Sequence, residues 1–173
     1  TDAILYEINL RDMTADENSG SACPCTYLGL TEAGTCNKEG HKTGLAHLVE
    51  LGITHVHILP FYDFNSVDEA LFIRGKDGEY TIDHKELPYN WGYDPFNYNV
   101  LEGSYSLDPA HGEVRIKEFK QLVKTLHEHN IGVIMDVVYN HTALSEDSNF
   151  HKILPNYYYR MKGSEFNNGS ACG

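Results

Sequence analysis

The chain has 173 residues with 25 acidic against 13 basic side chains, a formal net charge of −12. That charge argues against nucleic acid as a partner, where Lys and Arg must neutralise phosphates, and leaves a neutral ligand unopposed. A composition of 41% hydrophobic and 12% aromatic residues is that of one globular domain rather than a disordered chain.

No apolar run approaches the ~20 residues that span a bilayer, so no membrane partner is expected. The opening residues, TDAILYEINL, lack the basic-then-apolar order of a secretory signal, and both a cytoplasmic and a secreted location are compatible with them. Because the chain begins with Thr rather than Met, removal of an upstream part is expected.

Residues 3–10 (AILYEINL) form a short β-rich apolar run, which predicts a strand buried on both faces. A polar loop with Gly20, Pro24, Gly29 and Gly34 follows, to about Gly40. It carries Cys23, Cys25 and Cys36, with Cys172 near the other end. Their C-P-C…C arrangement does not have zinc-site spacing and reads as free or incidentally paired thiols. Leu45, Leu48, Val49 and Leu51 then recur at helical spacing, and Gly52 stands where a helix C-terminal glycine belongs. A second apolar run, ITHVHILP (53–60), starts at once.

Residues 61–110 read as a long irregular stretch, with a turn at Lys76-Asp77-Gly78 and the aromatic cluster YNWGYDPFNY (89–98). An insertion of that size inside a compact domain is usually a binding loop. Regularity returns at 113–129, where Val114, Ile116, Phe119, Leu122, Val123 and Leu126 make one helical stripe. A break at Asn130-Ile131-Gly132 leads into VIMDVVY (133–139), a third apolar strand. The tail from 140 to 173 is polar and aromatic with no strong period.

The order strand, helix, strand, helix, strand calls for a parallel sheet, with working residues at the carboxyl ends of the strands. Strands are expected near 3–9, 53–59 and 132–139, and helices near 43–51 and 113–129. This pattern fits a doubly wound sheet and the start of an eight-fold barrel equally. No repeat or linker divides residues 1–173.

Two groups could carry chemistry. Asp136 lies within an apolar strand, where a charge is costly unless paired, and Asn140 and His141 follow just past the strand end. A buried structural Asp and a site residue are equally good readings of it. Histidines 55 and 57 share one strand face, as metal ligands do in some barrel hydrolases. Two ligands of the needed three or four are a weak signal, and Ile58, Leu59 and Pro60 place both rings below the strand's end.

The residues also carry a resemblance. DVVYNH (136–141) resembles the first conserved region of the α-amylase superfamily (glycoside hydrolase family 13), and YNWGYDPFNYNVLEGSYS (89–106) is similar to the signature of type I pullulanases. ILYEINLRDMT resembles that family's first strand, and KTGLAHLVELGITHVHILPFYDF its first helix and second strand. SNFHKILPNYYYR with NGSACG is similar to the segment leading to the fourth strand.

The resemblance implies an α/β fold, the first three strands of a partial TIM (β/α)8 barrel, whose partner is the rest of its own barrel. It implies that Tyr93 stacks on the glucosyl unit at the scissile bond and that His141 hydrogen-bonds that sugar's primary hydroxyl. Asp136 would orient a downstream arginine, Asn140 would hold the loop, and Trp91 and Asp94 would shape the pocket wall. The substrate class implied is α-glucan (pullulan, starch or glycogen branches), cleaved at α-1,6 linkages.

The family's retaining mechanism pairs a nucleophilic carboxylate with a carboxylic acid. The resemblance places the nucleophile Asp, the acid Glu and a stabilising Asp after later strands, so no catalytic residue is expected in this chain, which should be inactive alone. No cofactor is implied, although Asn140 binds calcium in some relatives and calcium is possible in the intact enzyme. Two alternatives compete: a non-catalytic carbohydrate-binding or scaffold relative of the barrel, and a metal-dependent barrel hydrolase using His55 and His57.

Overall fold

The computed structural model describes residues 2–72, 91–167 and 169. Three strands, β1 (Leu5–Ile8), β2 (His55–Ile58) and β3 (Gly132–Met135), form one parallel sheet in the order β1-β2-β3. The register aligns Leu5 with His55 and Gly132, and Ile8 with Ile58 and Met135. Helix α1 (Gly44–Leu51) joins the first pair and α2 (Gly112–Glu128) the second. Each strand is shorter than the apolar run that predicts it, and β3 stops one residue before Asp136.

Period-two alternation decides which side of the sheet is core. Ile8, Val56 and Ile58 are buried and pack with Leu45 and Leu48 of α1 and Leu122 and Leu126 of α2. The helical stripes are narrower than the sequence suggests: Val49, Leu51 and Ile116 are exposed. Gly52 ends α1 in the left-handed conformation (φ 69°), its N–H donating to Val49 O. Aromatics from the loops extend the core, with Tyr27 edge-on to both Tyr105 and Phe119.

The other face of the sheet is open. Leu5 is 58% exposed, and Glu7, His55, His57 and Ile134 stand on its side of the alternation. The expectation of strands buried on both faces therefore holds on the helix side only. This face belongs with a barrel interior, where inward side chains from all strands meet.

The tail holds more order than its sequence suggests. A short helix α3 (Asn149–Ile153) starts at Ser148, whose Oγ accepts from His151 N. A hairpin of β4 (Met161–Lys162) and β5 (Glu165–Phe166) follows. The turn expected at 76–78, Tyr89, Asn90 and Cys172 lie outside the described residues. Cys36 is a free thiol.

Candidate functional site

The carboxyl ends of β2 and β3 bring the two quoted motifs together. After β2 the chain runs through Pro60 to a loop that is clamped onto residues 94–102. Phe96 N and Asn97 N donate to Asp63 O, Asp63 N donates to Val100 O, and Asn65 N donates to Asp94 O. Gly92 makes the approach possible: it has φ +81°, and a Cβ there would lie 2.3 Å from Pro60 O. Only glycine fits both constraints.

Tyr93 and His141 meet at this end. His141 Nε2–H donates to the Tyr93 carbonyl oxygen at 2.7 Å, since a carbonyl can only accept. The Tyr93 hydroxyl donates to Asp136 Oδ2 at 2.6 Å. Asp136 is fixed in turn by its backbone N–H on Ile58 O. His141 Nδ1 is buried and has no hydrogen-bond partner among the described residues. That second ring nitrogen is closed off from the surface as well as unpaired among the described residues.

Asp136 also ends a polar row across the open sheet face. His57 Nε2 is 3.8 Å from Asp136 Oδ2, and His57 Nδ1 is 3.7 Å from Glu7 Oε2. His55 is turned aside, its Nδ1 2.8 Å from Thr54 Oγ1. Among the described residues, neither histidine belongs to a group of three ligand side chains whose donor atoms lie within 4.8 Å of one another. His57 sits as a bridge between carboxylates.

The triple that does meet that distance is Asp63, Glu69 and Glu102. Its oxygens are already engaged: Glu69 pairs with Arg115, Glu102 accepts from Phe64 N and Ser104 N, and Asp63 accepts from Asn97 Nδ2. Burial raises the Glu102 carboxyl to about 8, and the neighbouring Glu69 adds to the rise. Among the described residues, the Asp63, Glu69 and Glu102 group does not include the Asn140 loop.

The remaining predicted residues divide. Asn140 and His141 line a cavity of about 730 Å³. Trp91 is 55% exposed, and Asp94 Oδ1 accepts from Ser66 Oγ, bracing the loop after β2. Neither lines that cavity.

Sequence reasoning passed over several supports. Tyr98 donates from its hydroxyl to His141 O at 2.7 Å, and Asn149 Nδ2 donates to Asn97 Oδ1. Asn97 and Tyr98 lie inside the quoted aromatic cluster, and that density of polar rings and amides was the available signal.

Residues 29–164 match the family described as "Alpha amylase, catalytic domain". The chain belongs to this family. It is 43% identical over 159 residues to a pullulanase of Bacillus subtilis (strain 168), an alignment that covers 92% of this chain and 20% of that protein. A crystal structure of pullulanase from Paenibacillus barengoltzii, complexed with maltohexaose and α-cyclodextrin, superposes with a TM-score of 0.82 at 46% identity. It covers 92% of this chain and 23% of that one. The structure of pullulanase type I from Bacillus subtilis str. 168 with maltose gives a TM-score of 0.79 at 42% identity, covering 92% and 21%. The chain thus spans about a fifth of the length of these relatives.

Proposed function

We propose that this chain supplies the first three strands and part of the substrate site of a retaining glycoside hydrolase acting on α-glucans, of the pullulanase debranching type. The observation that carries the reading is the joining of Tyr93, Asp136 and His141 at the carboxyl edge of the sheet. Aromatic faces suit the C–H surface of a pyranose, and a fixed hydroxyl and imidazole suit its hydroxyl groups.

In this reading Tyr93 stacks on the glucosyl unit at the scissile bond. Its hydroxyl, tied to Asp136, sets the tilt of the ring. His141 is the residue read as meeting the primary hydroxyl of that unit. Asp136 orients an arginine from a later strand, while Asn140 holds the loop. Trp91 and Asp94 support the wall from outside. The nucleophile and the acid come from elsewhere in the barrel, and two carboxylates complete the chemistry without a cofactor.

The test is hydrolysis of pullulan by the full-length protein, followed as new reducing ends. Cleavage is expected. Binding of pullulan without cleavage would instead identify a carbohydrate-binding relative, and no binding would remove the glucan reading.

A further inference from the structure

The histidines of HVH (55–57) take no part in the site described above, and the sheet treats the two differently. His55 pairs with Gly132 across the register, and a Cβ at Gly132 would lie 2.5 Å from His55 Cδ2. Glycine there gives the His55 ring its room near the amino end of the strands, where its Nδ1 meets Thr54 Oγ1. His57 stands one layer higher. Its cross-strand partners are Glu7 on β1 and Ile134 on β3. Asp136, two residues beyond Ile134, falls on the same face in the next layer.

Both nitrogens of the His57 ring approach a carboxylate. Nδ1 is 3.7 Å from Glu7 Oε2, and Nε2 is 3.8 Å from Asp136 Oδ2. These are charge contacts rather than direct hydrogen bonds, which need about 3.2 Å or less. Only the protonated ring presents an N–H to both sides. The two sides are not equal, for the Asp136 side chain is 22% exposed and that of Glu7 is 62% exposed. Solvent screens the Glu7 contact more, so the ring acts mainly on Asp136.

Asp136 hands that restraint on. The same oxygen, Oδ2, accepts the Tyr93 hydroxyl at 2.6 Å. A carboxylate that swings toward or away from His57 therefore carries the tyrosine ring with it.

We propose that His57 is a positioning residue for the reaction on glucan: from the open sheet face it holds Asp136 in the orientation that sets the tilt of Tyr93, without touching the sugar. The proposal rests on the glucan reading above and extends it one layer below the site.

The experiment is a double-mutant cycle in the full-length protein, read as kcat and KM on pullulan with unfolding midpoints alongside. It compares the parent, His57→Leu, Tyr93→Phe and the double variant. His57→Leu keeps the bulk and removes the charge contact. It is expected to lower kcat about tenfold and to change KM less than twofold, because a tilted platform misplaces the bound sugar rather than releasing it. Tyr93→Phe cuts the link from Asp136 to the ring, and in that background the same substitution should lower kcat less than twofold. Should His57→Leu not fold, His57→Gln carries the same cycle, with a smaller loss that disappears in the same way. A loss that persists undiminished beside Tyr93→Phe, or a folded His57 variant with the parent's kcat, overturns the positioning role and leaves the glucan reading standing. A parent protein that leaves pullulan intact overturns both.

Discussion

The Tyr93 hydroxyl and Asp136 Oδ2 lie 2.6 Å apart although 43 positions separate the two residues. One belongs to a loop and the other to the end of a strand, so the bond fixes the loop to the sheet. A hydrogen bond to a charged group contributes about 1.5–3 kcal/mol. Tyr93→Phe should cost stability on that scale, and Asp136→Asn should cost less once Tyr93→Phe is present. A double-mutant cycle by denaturant unfolding measures the coupling; strictly additive losses would mean that the bond does not form.

Gly92→Ala should be among the most harmful single-methyl changes in the chain. The added Cβ would lie 2.3 Å from Pro60 O at a backbone φ of +81°, so the loss should exceed about 1 kcal/mol. Because Tyr93 is the next residue, affinity for α-glucan should fall with stability. Unfolding midpoints and maltotriose binding check this, and an unchanged midpoint would contradict the close approach.

Glu102 gives a pH dependence with a definite sign. Its carboxyl is raised by burial to about 8, against about 4.3 in an unfolded chain. Its stabilising contribution is therefore full below about pH 4.3 and falls away as pH rises to about 8. Glu69 and Glu118, also raised by burial, act in the same direction, so the measurement is the difference between parent and Glu102→Gln. The parent should lose more stability than the variant between pH 5 and 8. Parallel pH profiles would show that Glu102 is ionised in the fold.

The open sheet face gives a test of the barrel. Leu48 of α1 is fully buried, and Leu48→Ala should cost about 2–5 kcal/mol. Leu5 is exposed here, yet in the full-length protein the remaining strands should cover it. Leu5→Ala should then cost more than the ~0.5 kcal/mol typical of surface sites. Residues 1–173 expressed alone, with the edges of β1 and β3 uncovered, should associate in sedimentation and leave pullulan intact. A neutral Leu5→Ala in the full-length protein would contradict barrel closure.

The three strands and two crossover helices were legible because their apolar periods are strong and Gly52 punctuates the first helix. Burial on one side only was not, since a barrel strand is apolar on both faces whether or not its neighbours are present. Tyr93, Asp136 and His141 were legible through motif resemblance. Their mutual bonds were not, because no spacing rule links a loop to a strand end 43 residues later. The hairpin at 161–166 is only two residues a side, too short for alternation to register. Trp91 and Asp94 sit in the most specific motif, but their local partners, Ser66 for Asp94, depend on how the loop after β2 folds back.

The most direct test of the account is the effect of Tyr93→Ala in the full-length protein, measured as kcat/KM on pullulan beside the unfolding free energy. A residue that holds the sugar at the scissile bond should lower kcat/KM by about a hundredfold or more, as misplacement of a substrate does. Stability should fall by no more than about 3 kcal/mol, the upper range for a lost charged hydrogen bond. A large loss of stability with kcat/KM unchanged per folded molecule would make Tyr93 a packing residue and contradict the assignment of this site to the substrate.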